Sequence, residues 1–402
     1  MAQTNKAVIV SACRTPIGDF LGKLKETPPR ELGRIVGEEA LRRAGIKPEQ
    51  IDELVCGNVI QAGVGGNISR QIQAELGIPW ASPACTVNQL CCSSMRALEI
   101  ASRNIMLGQT DVSLVVGVEN MSMSPYLLQK GRTGYRMGPA ALEDAMLLDA
   151  LVCSIENYHM GVTAENVAAR FGISRQVQDE LALLSHARSC TAIKAGIFKA
   201  ETVPVEVRQK KGTLVFDTDE HPRADTSLET LAKLKTVFKK DGTVTAGNAS
   251  GVNDGAAAML LMSEQKARDL GLKIKARVRA TTSVGVDPSV MGIGPAYAIP
   301  EVLKKAGLSF ADIGYWEVNE AFAAQFLGVE HLLAKERGCK LNMDIVNRNG
   351  SGISLGHPVG CSGLRVVVSL LHEMERSGSS LGCASLCAGG GPAMATVIEL
   401  IN

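Results

Sequence analysis

Short apolar runs flanked by glycine alternate along the chain with segments whose apolar residues recur at helical spacing. "AVIVSA" at 7–12 leads to "ELGRIVGEEALRRAG" at 31–45, and the same alternation continues to the C-terminus. Strands separated by amphipathic helices predict an α/β fold. The pattern also repeats. "ALRRAGIKPEQIDELVCGN" at 40–58 and "VLKKAGLSFADIGYWEVNE" at 302–320 share one order: apolar residue, paired cations, Ala-Gly, capping stretch, Ile, strand. Ala44, Gly45 and Ile51 match Ala306, Gly307 and Ile313 at a constant offset. A helix stopped by glycine, a turn and a short strand account for each copy, and a register held without a gap argues for duplication rather than two look-alike units. The stretch 121–250 belongs to neither copy. It carries helix-like "TAENVAARFG" and "SRQVQDELALLSHARSCTAIKAG" and charged turns such as "DTDEHPR", and is expected to be a long excursion from the first half that covers a substrate.

Composition narrows the function. The 402 residues are 46% hydrophobic, enough for large cores, and 42 Lys+Arg against 41 Asp+Glu leave a net charge of +1. No global field points to nucleic acid or an anionic membrane, so an anionic small molecule would need a local pocket. The apolar runs, such as "VSLVVGV" at 112–118, are too short to span a bilayer, and the N-terminus lacks a signal-peptide pattern, which predicts a cytoplasmic protein. Eleven cysteines without Cys-x-x-Cys or His-x-x-x-His spacing argue against a disulfide framework and against a metal site.

Four stretches can carry chemistry. "VNQLCCSS" at 87–94 places Cys91 between a strand and a helical run, near a helix N-terminus whose dipole is expected to lower a thiol pKa; packing as a small buried hydrophobe is the competing reading. "NRNGSGISLGHPVGCSG" at 347–363 sets His357 among glycines that permit close backbone approach to a ligand. "WEVNEAFAAQ" presents Asn319 at a helix start, where capping is the ordinary explanation. "CAGGG" at 387–391 gives Cys387 followed by a loop whose N–H groups suit an oxyanion, or merely a tight turn.

Taken together these residues resemble the thiolases, in their acetyl-CoA acetyltransferase branch. "VNQLC", "GVENMS", "HMGVTAENVA", "TAGNASGVNDGAA", "VNEAFA", "GHPVGCSG" and "CAGGG" stand in family order, and the resemblance runs from about residue 6 to 401. It implies the thiolase fold: two similar βαβαβαββ halves in a five-layer αβαβα core with an inserted loop domain. Residues 1–120 with 251–272 would form the N-terminal half, 121–250 the loop domain covering coenzyme A, and 273–402 the C-terminal half. The resemblance further implies Cys91 as the acylated nucleophile, His357 as its base and Cys387 as the second catalytic cysteine. Asn319 would hold a water that completes one oxyanion site with His357, and the Cys91 and Gly389 N–H groups would form the other. His159, Arg223 and Ser250 would contact coenzyme A. Implied substrates are acetyl-CoA, acetoacetyl-CoA and CoA, with no permanently bound cofactor and a homotetrameric assembly. A thiolase for longer acyl chains, and an acyl-CoA-binding subunit without turnover, are the alternatives; four retained catalytic residues argue against the second. Ser94, Ser351 and Ala393 stand where the family favours glycine and are expected to bear on the acyl pocket or on turns.

Overall fold

The computed structural model describes residues 5–210 and 212–401. The first half runs β1 (Ala7–Arg14), α1 (Pro29–Ala44), β2 (Glu53–Gly57), α2 (Ile68–Leu76), β3 (Ala84–Val87), α3 (Ser93–Met106) and β4 (Val112–Asn120). A long excursion follows, with α4 (Met160–Phe171), α5 (Arg175–Lys194) and the ribbon Val205–Gln209 with Gly212–Phe216. The chain then returns as β5 (Asn253–Ser263), and the second half runs β6 (Ala276–Gly285), α6 (Pro295–Ala306), β7 (Tyr315–Val318), α7 (Ala323–Arg337), α8 (Val359–Ser377), β8 (Leu381–Cys387) and β9 (Pro392–Leu400).

All eleven residues of β5 are buried, and so are all of β1 and β4, which is why these strands read as continuous apolar runs rather than alternating ones. In the first half β2 pairs parallel to β4 and to β3, β4 pairs antiparallel to β5, and β5 antiparallel to β1. The second half repeats this: β7 parallel to β8, β8 antiparallel to β9, β9 antiparallel to β6. The counterpart of β3 has shrunk to a single parallel bridge between Trp316 and Val346. The halves join through β1 and β6, with Val8 opposite Arg277 and Ile9 opposite Ala276, so that β1 to β9 form one ten-stranded sheet in the order β7-β8-β9-β6-β1-β5-β4-β2-β3, the tenth being Gly18–Asp19 beside β5.

The repeat seen in sequence is repeated in detail. α1 and α6 both end on a left-handed glycine, Gly45 (φ 67°) and Gly307 (φ 69°). Each is followed by a short 3₁₀ turn closed by a side chain reaching back: Lys47 N–H donates to Gln50 Oε1 at 3.0 Å and Ser309 N–H to Asp312 Oδ2 at 2.7 Å.

α3 and α8 pack against each other between the two parts of the sheet, and Met95, Leu98, Val366, Val367 and Leu370 fill this central layer. α1 and α2 cover the outer face of the first half and α6 and α7 that of the second, giving five layers. The excursion leaves the first half but rests on the second: Val167 of α4 packs so closely on α7 that a Cβ at Gly328 would overlap it. Among the described residues no helix is long and apolar enough to cross a membrane.

Candidate active site

The turn between β3 and α3 is wound tightly. Leu90 has φ 49°, a left-handed conformation that costs a branched residue about 1–2 kcal/mol. Local bonds hold it there: Leu90 N–H donates to Asn88 Oδ1 at 3.0 Å, Gln89 N–H to Ser93 Oγ at 2.9 Å, and Ser93 Oγ–H to the Leu90 carbonyl at 2.6 Å. Cys92 caps α3, so Cys91 lies one residue before the cap. Pro358 caps α8, and His357 occupies the same station one residue before it. The central helices thus bring the nucleophile candidate and the histidine together by equivalent geometry from the two halves.

Cys91, His357, Cys387, Gly389, His159, Arg223 and Ser250 all line one cavity of about 360 Å³, with Met121, Leu151, Met160, Phe238, Met291 and Phe322 as apolar walls. The expectation that the helix terminus lowers the Cys91 pKa is not met. Burial against these walls pushes the thiol up to about 11, opposed by the Gly389 N–H and the residue's own N–H, which lie against the sulfur. Desolvation outweighs the dipole because removal from water penalises the thiolate fully, whereas the dipole contributes only a fraction of a charge. A Cβ at Gly389 would push aside the end of the Met160 side chain, which walls the cavity. Cys387 ends β8, and burial, reinforced by the neighbouring Cys91, raises its thiol far above the ordinary range. Cys92 points away into the central core.

His357 is held on three sides. Its N–H donates to Asn253 Oδ1 at 2.8 Å, and the preceding Gly356 (φ 98°) has no room for a Cβ against the Asn253 carboxamide. Nδ1 lies 2.6 Å from Ser362 Oγ, whose single proton goes to the Pro358 carbonyl at 2.9 Å. In the tautomer that keeps both contacts, Ser362 accepts from Nδ1–H and Nε2 carries the free lone pair; Nε2 has no partner among the described residues. Burial, and secondarily the Arg365 charge, hold the ring's pKa down at about 3, so the imidazole is neutral at working pH.

Asn319 stands apart from the other site candidates: it is completely buried and does not line the cavity wall. Its N–H donates to the Ser385 carbonyl at 2.9 Å, Oδ1 accepts from Arg365 Nη2 at 3.2 Å, and Nδ2 has no partner among the described residues. His159 caps α4, accepting from Gly161 N–H at Nδ1 (3.0 Å), and its ring stacks on Phe238 with centroids 4.5 Å apart. Arg223 lies exposed at the cavity mouth, and Ser250 N–H donates to the Ala321 carbonyl at 2.9 Å.

The three departures from the family pattern do not touch the cavity. Ser94 sits where α3 crosses α8, donating to the Cys361 carbonyl at 3.0 Å and accepting from Leu364 N–H at 2.8 Å. Ser351 is buried beside Val318 and Ser185, and Ala393 packs against Gly294, where a Cβ would overlap it. Sequence reasoning missed Phe238 and His221, which line the cavity from charged, loop-like stretches with no periodic signal. It also missed Glu119. This buried carboxyl accepts from Asn58 Nδ2 (2.9 Å), Val59 N–H (2.9 Å), Ile60 N–H (3.2 Å) and Gly360 N–H (3.0 Å), tying a first-half loop to the start of α8.

Comparison with known proteins agrees with this architecture. Profiles of the thiolase N-terminal and C-terminal domains match residues 7–265 and 272–400. An acetyl-CoA acetyltransferase of Syntrophomonas wolfei is 48% identical over 400 residues, covering 99% of this chain and 100% of that one. One from Escherichia coli is 48% identical over 396 residues, covering 98% and 99%. The solved Syntrophomonas wolfei acetyl-CoA acetyltransferase superposes with a TM-score of 0.98 at 52% identity, covering 99% of this chain and 100% of that one. The human mitochondrial 3-ketoacyl-CoA thiolase superposes at 0.94 and 40% identity, covering 99% of both. With both domain profiles matched across nearly its whole length, the chain belongs to the thiolase family.

Proposed function

We propose that the protein is an acetyl-CoA C-acetyltransferase that interconverts two acetyl-CoA with acetoacetyl-CoA and CoA through an acetyl group on Cys91. The observation that carries this reading is the convergence of Cys91, the His357 lone pair, Cys387 and Gly389 on one cavity. As the Cys91 sulfur bonds to the carbonyl carbon of acetyl-CoA, its proton passes to His357 Nε2, and the Cys91 and Gly389 N–H groups receive the oxyanion. The CoA sulfur leaves with the proton of Cys387, so the acyl-enzyme carries a Cys387 thiolate and a His357 imidazolium. That thiolate removes an α-proton from a second acetyl-CoA, while the imidazolium and an Asn319-held water stabilise the enolate oxygen. The enolate carbon bonds to the acetyl carbon, the C–S bond to Cys91 breaks, and Cys91 recovers its proton from His357. All groups end as they began. The raised thiols and lowered imidazole suit this cycle, because they keep the resting site neutral and make each charged form reactive once generated.

Coenzyme A fits with its chain along Ser250 and the His159–Phe238 stack and with Arg223 at the charged end. The boundaries 1–120 with 251–272, 121–250 and 273–402 follow the same reading, as does a cytoplasmic location. A homotetramer is supported by the exposed apolar side chains Met123, Tyr126, Leu128, Met137 and Leu142 on one arm of the excursion. The test is peptide mapping after incubation with acetyl-CoA: acetyl on Cys91 is expected, with turnover abolished in Cys91→Ala. Label only on Cys387, or undiminished turnover in Cys91→Ala, overturns the assignment. Cleavage rates that rise with acyl length would favour a longer-chain thiolase instead.

A further inference from the structure

The central layer holds a polar cluster of which the steps above use only Asn319. Tyr315 and Glu317 share a face of β7, and Asn319 continues it just past the strand end, all turned toward α8. There they meet Arg365, which is completely buried. Its guanidinium has few satisfied donors. Nη2 donates to Asn319 Oδ1 at 3.2 Å, Nη1 lies 3.8 Å from Glu317 Oε2, and Nε and Nη1 make no hydrogen bond to any of the described residues. Glu317 Oε1 accepts from Tyr315 Oη at 2.7 Å, while Oε2 is unpartnered.

A buried charge so poorly paired is costly, and an aliphatic residue of similar volume would serve packing as well or better. What the guanidinium does supply is polarity. A carboxamide is nearly symmetric in shape, so only its hydrogen-bond partners decide which end faces which way. Arg365 can donate but not accept; opposite it, Oδ1 is favoured and an NH₂ group is excluded. Both Nδ2 hydrogens are then left free, as the missing partner of Nδ2 records.

We propose that Arg365 is a positioning residue for the carbon–carbon bond step: its guanidinium holds the Asn319 carboxamide with the oxygen inward, so that the NH₂ group is offered to the water that bridges to the enolate oxygen. The proposal rests on the role given to Asn319 above. Loss of the guanidinium lets the carboxamide rotate, and in half of its orientations it turns a lone pair toward developing negative charge.

The two half-reactions separate this from a structural role. Exchange of labelled CoA into acetyl-CoA needs only acetylation of Cys91, whereas thiolysis of acetoacetyl-CoA needs the enolate site. In Arg365→Met combined with Glu317→Gln, which leaves no unpaired charge behind, exchange should persist while thiolysis falls roughly 10²-fold, the usual effect of one oxyanion donor. Arg365→Lys, a smaller perturbation of the fold, should show the same split in milder form. Adding Asn319→Ala to the double variant should cost little more, because the two residues act as one unit. Equal losses in both half-reactions, or full additivity with Asn319→Ala, would overturn the inference. If Asn319→Ala alone leaves thiolysis intact, the assignment of Asn319 itself is wrong.

Discussion

Ser94→Gly restores the residue the family favours and should weaken the fold without changing which thioesters are used. The Ser94 hydroxyl bridges the central helices through the Cys361 carbonyl and the Leu364 N–H. Each such bond contributes about 0.5–1.5 kcal/mol. Both backbone partners also lie within α8 and keep helical partners, which places the sum near the lower end, about 1–2 kcal/mol. A glycine in the first turns of α3 adds about 0.5–1 kcal/mol of backbone entropy. The site cannot readily collapse to compensate, because Gly57, Gly117 and Gly363 already approach Ser94 and Met95 without side chains of their own. The expected loss is therefore about 2 kcal/mol. With a urea slope of roughly 3 kcal/mol/M this lowers the unfolding midpoint by about 0.7 M at unchanged slope. Circular dichroism at one fixed protein concentration reads it, since assembly would otherwise contribute. The ratio of thiolysis rates on acetoacetyl-CoA and its longer homologues should stay as in the parent protein. An unchanged midpoint together with a shifted chain-length ratio would refute the reasoning and put Ser94 back at the acyl pocket.

Three other outcomes are expected. His357 titrates at about 3 in the folded protein against an ordinary 6.5, so the unfolded chain takes up its proton first; the stability it contributes is complete above 6.5 and is lost as pH falls toward 3, at up to about 1.4 kcal/mol per unit. Urea midpoints measured from pH 7 to 4.5 should fall less steeply in His357→Gln, and identical slopes would contradict the assigned environment. Gly356→Ala should cut turnover roughly 10²-fold with little change in the circular dichroism spectrum, because its Cβ displaces Asn253 and with it the His357 backbone; wild-type kinetics would show that the turn has slack. Because burial raises both thiols, mild oxidants should inactivate the enzyme slowly at neutral pH and faster as pH rises, acetyl-CoA should protect it and a thiol reductant should restore it, with a Cys91–Cys387 peptide in unreduced digests; irreversible loss without that peptide would mean simple oxidative damage.

The duplicated α/β plan was legible because glycine stops and largely apolar strands are local features: Gly45 and Gly307 end their helices whatever surrounds them. The third strand of the second half was not, since only the Trp316–Val346 bridge remains of it. At the site, the turns marked Cys91, His357 and Cys387 as candidates beside packing or turn-forming alternatives, and the resemblance to the thiolases, not the turns, singled out Gly389. The direction of the Cys91 shift could not, because it depends on Met160, Phe322 and other walls contributed from distant stretches. Arg365 was hidden for a related reason. A lone arginine in "SGLRVVV" resembles any solvated helix residue, and only the packing of β7 over α8 reveals that it is enclosed.

Cys91 and His357 occupy the same station, one residue before the cap of the third helix in each half. Two separate copies of a single repeat, related by a true twofold axis, would set that station against itself and could offer only two thiols or two imidazoles. Acid–base assistance of a nucleophile needs unlike partners. Joining the copies in one chain breaks the equivalence at no cost to the packing of the helices, and the covalent link from β5 to β6 is thus what permits a thiol and an imidazole to face each other across a pseudo-symmetric axis.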